Sequence, residues 1–159
     1  MEDLPFLNAL RPYFEAFAEA DHSRRMELLA EAMSPEAQIW GPKRVFAGYR
    51  EISEKITGFR ENWPECRLVL ATGLNTFLNA ARFGSSIVDR RGAVMASGHA
   101  VVELAADGRI YRVIPFWEAL PPLPDAWPEH LASQSADTEQ LGPIEARKVA
   151  SLKSLPLGD

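Results

Sequence analysis

The spacing of apolar residues divides the chain into helical segments followed by strands. Leu7, Leu10, Phe14 and Phe17 recur at helical intervals with Tyr13 beside them, and predict a first helix. Pro12 falls inside that pattern. It has no amide donor and crowds the preceding turn, so it is expected to break or restart the helix. A second helix is predicted from about Ser23, a suitable N-cap, with Met26, Leu29, Ala30 and Met33 on one stripe. Ser34-Pro35 is expected to end it, because a residue before proline avoids helical angles. The third helix has the clearest stripe: Tyr49, Ile52, Ile56, Phe59 and Trp63, stopped by Pro64.

Strand patterns take over after that. Ala37-Gln38-Ile39-Trp40 is short and ends at Gly41-Pro42. Arg67 to Thr72, Phe77 to Val88, Ala93 to Leu104 and Arg109 to Trp117 read as longer strands. Asp89-Arg90-Arg91-Gly92 and Ala105-Ala106-Asp107-Gly108 are the turns between the last three, and Asp-Gly favours the positive backbone angles of a tight hairpin. Helices first and an antiparallel meander afterwards predict an α+β fold, not alternating βαβ units.

The last forty residues differ from the rest. Of 15 aromatic residues, only Trp127 lies beyond residue 119, while six of the twelve prolines do. Such a segment lacks the material for its own core, so the expected organisation is a domain at 1–118 and a Pro-rich extension at 119–159. Part of the extension has a helical pattern, from Pro143 through Ile144, Lys148, Leu152 and Leu155.

Composition narrows the chemistry. At 159 residues the chain can bury a core without disulfides or metal. A net charge of −5 argues against a nucleic-acid partner, which needs a basic surface. No apolar run approaches the ~18 residues of a membrane span, so no membrane partner is expected. Cys66 is a lone cysteine and fits a reducing, cytoplasmic location. His22, His99 and His130 lack ligand spacing, so no metal is expected, and no cofactor either.

Several short motifs fall in order along residues 6–118. Phe46-Ala47-Gly48-Tyr49 leads into the third helix, and Ala80-Ala81-Arg82-Phe83 and Gly98-x-x-Val-Val-Glu-Leu lie in strands. Asp107-Gly108-Arg109-Ile110 follows, with Val113 and the ending Phe116-Trp117. The ordered set resembles the SnoaL-like group of the nuclear transport factor 2-like superfamily. The resemblance implies a cone-shaped α+β barrel, with three N-terminal helices packed in the concave face of a strongly bent antiparallel or mixed sheet. It also implies a pocket at the wide end and a homodimer through the outer sheet face. That outer face would carry Val101 and part of strand 77–88 uncovered by any helix. Members of the group include isomerases, dehydratases, cyclases and epoxide hydrolases, and also binding and scaffolding domains. The fold therefore does not supply the reaction.

The acids of such enzymes do not carry over. Steroid-isomerase-like members place a carboxylate before a proline after the first strand, where this chain has Gly41. A central-strand acid corresponds to Ala100, and a late acid on the last strand to Pro115. A one-residue shift would put His99 in the central place, where an imidazole could exchange a proton near neutral pH. Strand alternation instead sends His99 outward with Val101 and Glu103 if Ala100 and Val102 face inward. Tyr13 has two readings as well: a phenol that hydrogen-bonds a ligand oxygen, as on the corresponding helix of steroid-isomerase-like members, or a core anchor. Tyr13 and His99 are thus the candidate catalytic residues. Phe17, Trp40, Phe59, Trp63, Phe83 and Trp117 are the candidate ligand-binding residues, with Trp40 and Trp117 beside the mouth, where an indole N–H needs a polar partner. The expected ligand is a small, hydrophobic, oxygenated molecule. Two functions remain: an acid/base enzyme (isomerase, dehydratase, cyclase or epoxide hydrolase), or a binding protein of the same fold without the catalytic carboxylates.

Overall fold

The computed structural model describes residues 2–133, so the helical pattern from Pro143 to Leu155 lies outside the described residues. The chain divides into two units, Met1–Ala119 and Leu120–Asp159.

In the first unit, helix α1 spans Leu4–Ala18 and runs through Pro12 without a break. The reason is visible in what surrounds the ring. Pro12 is buried with Phe6, Leu10, Tyr13 and Phe17, while Asn8, whose carbonyl loses its helical donor, is exposed to water. Helix α2, His22–Ala32, is capped two residues earlier than expected, Asp21 Oδ2 accepting the Arg24 amide at 2.8 Å. Its buried stripe is Arg25, Leu28, Leu29 and Ala32, and Ala30 is exposed. A search for apolar spacing passes over this stripe because its first member is an arginine.

Strand β1, Met33–Trp40, starts directly after α2, so Ser34-Pro35 belongs to the strand and not to a connecting turn. Strand β2, Val45–Ala47, folds back on β1 with Trp40 opposite Val45. Helix α3, Gly48–Asn62, follows at once; Gly48 takes φ of +80°, and Glu51 Oε2 accepts the Ala47 amide at 2.7 Å. Tyr49 Oη donates to the Met33 carbonyl at 2.8 Å and ties the start of α3 to the start of β1.

Five strands complete the sheet: β3 Arg67–Leu70, β4 Asn75–Phe77, β5 Ala80–Val88, β6 Val94–Leu104 and β7 Ile110–Phe116. The single strand expected at Phe77 to Val88 is two. Leu78, at φ of +50°, and Asn79 turn β4 back on β5, and Asn79 Nδ2 donates to the Leu104 carbonyl at 3.1 Å. The Asp-Gly turn forms as expected, with Gly108 at φ of +84°.

The strand order is β2-β1-β7-β6-β5-β3, with β4 also on β5. β1 and β7 are parallel and the other pairs antiparallel, so the sheet is mixed. It is a strongly curved open sheet and does not close into a barrel. Register shifts in β1 (Met33/Gln38), between Ile87 and Val88, and between Glu103 and Leu104 mark the places where such a sheet bends. Its concave face buries Ile39, Phe83, Val102 and Val113 against Leu10, Leu29, Ile52 and Ile56 of the helices. Full burial of each such side chain stabilises by about 1.5–3 kcal/mol.

One polar cluster locks the three helices together. Arg25 is 5% exposed, and its guanidinium donates to the Glu19 carbonyl at 2.9 and 3.0 Å, to the Ser53 carbonyl at 3.2 Å and to Thr57 Oγ1 at 2.9 Å. No carboxylate of the described residues joins it; the oxygens at the end of α1 and along α3 complete its shell. Among the described residues, no helix is long and apolar enough to cross a membrane.

In the second unit the described residues include a 3₁₀ turn, Glu129–Leu131, and Trp127 Nε1 donates to the Leu131 carbonyl at 3.1 Å.

Candidate functional site

Between the helices and the concave sheet of the first unit lies a cavity of about 530 Å³. One wall is aromatic, because α1 places Tyr13, Phe14 and Phe17 on successive positions of its inner face. The rings meet edge to face: Tyr13 to Phe17 at 5.2 Å, Phe17 to Phe59 at 5.3 Å and Phe14 to Phe83 at 6.2 Å between centroids. Such contacts fix ring orientation as well as burying area. The opposite wall is sheet, where β5 presents Phe83, Ser85 and Ile87 and β6 presents Ala96 and Ala100. Small residues on β6 leave the volume open. Helix α3 supplies the third side through Lys55, Gly58, Phe59, Asn62 and, just past its end, Trp63.

Polar groups are few and unevenly placed. Tyr13 is 5% exposed, yet its hydroxyl makes no hydrogen bond to a described residue and borders the cavity. Burial pushes its phenol far above the usual range, so the group is neutral and is a donor rather than a base. Ser85 is also 5% exposed and lines the cavity. Towards the rim stand Glu54 and Asn62, both exposed, and the half-buried Lys55. Lys55 Nζ lies 4.8 Å above the Phe46 ring, and burial lowers its pKa.

Trp117 reaches the cavity through the absence of a side chain at Gly98. A Cβ there would collide with the Phe116 carbonyl oxygen and lie 2.9 Å from the Trp117 ring. The chain leaving β7 can therefore fold closely over β6 and set the indole at the rim, 40% exposed.

Of the residues anticipated from sequence, Tyr13, Phe17, Phe59, Trp63, Phe83 and Trp117 are brought together around one cavity. Trp40 is not. Ile39 takes the inward position on β1, so Trp40 turns to the outer face, where Nε1 donates to Gln38 Oε1 at 3.1 Å and the Arg112 guanidinium lies 5.4 Å above the ring. His99 is corrected in the same way. Ala100 lines the cavity, alternation sends His99 to the exposed outer face opposite Phe116, and no catalytic imidazole enters the site. Ala100 and Pro115 both line the cavity, so two places that could have carried an acid present apolar side chains to it.

Sequence reasoning missed Ser85, Glu54, Lys55 and Asn62. A signal existed for two of them: Ser85 alternates with Phe83 and Ile87, and Lys55 lies one helical turn before Phe59.

No protein-family model and no curated protein matches the sequence. Solved structures do. A SnoaL-like family protein from Agrobacterium tumefaciens strain C58, carrying a provisional isomerase name, is 28% identical with a TM-score of 0.65, over 73% of this chain and 99% of that one. A protein with a cystatin-like fold from Methylobium petroleophilum PM1 is 17% identical with a TM-score of 0.57, over 78% and 81% of the two chains. A SnoaL-like protein from Jannaschia sp. CCS1, provisionally named a polyketide cyclase, is 13% identical with a TM-score of 0.56, over 71% and 85%. The last two likenesses are of fold alone.

Proposed function

Because the chain belongs to the SnoaL-like branch of the nuclear transport factor 2-like superfamily, we propose that its cavity binds one small, largely apolar molecule bearing an oxygen that accepts a hydrogen bond from Tyr13. The observation carrying this reading is the Tyr13 hydroxyl itself. It belongs to a buried residue, is neutral and has no partner among the described residues, and it borders an aromatic-lined cavity of about 530 Å³. A hydroxyl that faces a cavity unpaired can donate to a ligand oxygen, a bond worth about 1 kcal/mol net. Trp63 and Trp117 line the same cavity, so 2-acetylnaphthalene, an apolar ketone, should quench or shift tryptophan emission on titration. Tyr13→Phe should weaken that binding by about 1 kcal/mol, roughly fivefold. An emission spectrum unmoved up to millimolar ketone contradicts the reading.

A second reading is favoured by Glu54, the only carboxylate among the described residues that line the cavity, and by the isomerase name of the Agrobacterium relative. In it, Glu54 takes a proton from the carbon beside a carbonyl while Tyr13 donates to the oxygen on which the negative charge develops. Deuterium exchange into the methyl group of 2-acetylnaphthalene, followed by NMR, tests it. Exchange accelerated by the protein and slowed by Glu54→Gln supports catalysis, and exchange at the buffer rate leaves binding alone. Binding is the primary reading, because apolar Ala100 and Pro115 stand where acids could have lined the cavity.

The same proposal includes a homodimer on the outer sheet face, where Met95 and Phe116 are more than half exposed beside Val101 and Ile114. Sedimentation showing monomer alone at tens of micromolar contradicts it. The lone Cys66 supports a reducing, cytoplasmic setting.

A further inference from the structure

Resting on the binding reading above, we propose that the natural ligand is an organic anion, an apolar body ending in a carboxylate, and that Lys55 is the residue that selects it. Among the described residues, Glu54 and Lys55 are the only ionisable residues on the cavity lining besides Tyr13, and Lys55 is the one cation. Several other cations of the first unit already have oxygen partners. Arg25 is saturated by backbone and hydroxyl oxygens, Arg44 pairs with Glu51 at 3.2 Å, and Arg112 pairs with Glu103 at 2.9 Å. Lys55 has no ion pair and no hydrogen bond among the described residues.

Its position is also held. The Lys55 ammonium lies over the face of Phe46, itself part of the lining, and Arg44 stacks on the same ring at 4.4 Å. Ser53 and Thr57, which flank Lys55 on α3, are both engaged by Arg25, so the turn that carries the lysine is anchored to α1 and α2. Burial already disfavours the ammonium, and an arriving carboxylate restores what water no longer supplies. A buried phenol and a half-buried ammonium are two separate polar groups on a largely aromatic lining. That pair fits an apolar molecule bearing both an oxygen and a carboxylate. Glu54, next in sequence and exposed on the lining, is placed to oppose the same ligand charge.

The test compares 1-naphthylacetate with its neutral isostere 1-naphthylacetamide by isothermal titration on the full chain, in wild type, Lys55→Met and Glu54→Gln. The expected result is an acid bound at least tenfold more tightly than the amide by wild type. Lys55→Met should abolish that preference with the amide affinity unchanged, and Glu54→Gln should strengthen acid binding about twofold to threefold. Added salt should weaken the acid and leave the amide alone. If both probes bind wild type equally, or if Lys55→Met keeps the preference, the anion inference is overturned while the binding reading stands. If neither probe binds, both fall. The amide titration on Lys55→Met also reports folding, because a variant that no longer folds loses the amide as well as the acid.

Discussion

Arg25 and Lys55 are both cations partly withdrawn from water in the first unit, and the fold treats them in opposite ways. Burial disfavours the charge on each. Around Arg25 the protein supplies replacement for water: carbonyls of Glu19 and Ser53 and the hydroxyls of Ser53 and Thr57 receive its donors. Around Lys55 it supplies a ring face and an open cavity. A guanidinium suits the first role because its planar fork reaches several fixed oxygens at once, and a mobile ammonium suits the second. The comparison separates framework from function by asking which buried polar groups are already satisfied. Tyr13 falls on the Lys55 side of that division and Tyr49, bound to the Met33 carbonyl, on the Arg25 side.

The largest expected effect breaks the framework half of the comparison. Arg25→Met should cost about 3 kcal/mol in chemical denaturation, because it strands the Ser53 and Glu19 oxygens in a buried place. Lys55→Met should change stability by less than about 1 kcal/mol, since in the folded chain its charge meets only the face of the Phe46 ring. Equal losses from both would erase the distinction.

Next in size is Gly98→Ala. The added methyl meets the Phe116 carbonyl and the Trp117 ring, so the end of β7 must move, at about 2 kcal/mol of stability. Emission from Trp117 should shift in the same variant, which ties the loss to the rim and not to a general loosening. Trp117→Ala should leave folding intact and weaken 2-acetylnaphthalene by about 2 kcal/mol as a lost aromatic anchor. Trp40→Ala sets the lower limit. Its ring is on the outer face, so ligand affinity should not change measurably in that variant.

Much of the framework is legible in the sequence, and particular residues show where legibility stops. The stripe from Tyr49 to Trp63 and the Asp107-Gly108 turn announce themselves, because apolar spacing and a positive φ each leave a local mark. Pro12 misleads because its effect depends on whether Asn8 faces water, which is a tertiary fact. Phe77 to Val88 reads as one strand because Leu78 and Asn79 carry no glycine to announce their turn. Alternation around Ala100 correctly predicted an outward His99, and the same rule applied from Ile39 would have excluded Trp40. The aromatic lining was visible through residue type. The polar part was not, because serine, glutamate and lysine are common on surfaces and only the assembled cavity distinguishes Ser85, Glu54 and Lys55 from the rest.

The most direct test is a crystal structure of the protein with 2-acetylnaphthalene. The account predicts density for the ring system between Phe17, Phe59 and Phe83, with the ketone oxygen at hydrogen-bond distance from Tyr13 Oη, about 2.6–3.0 Å. A ketone found only on the outer sheet face, or seated in the cavity with its oxygen turned away from Tyr13, would contradict it.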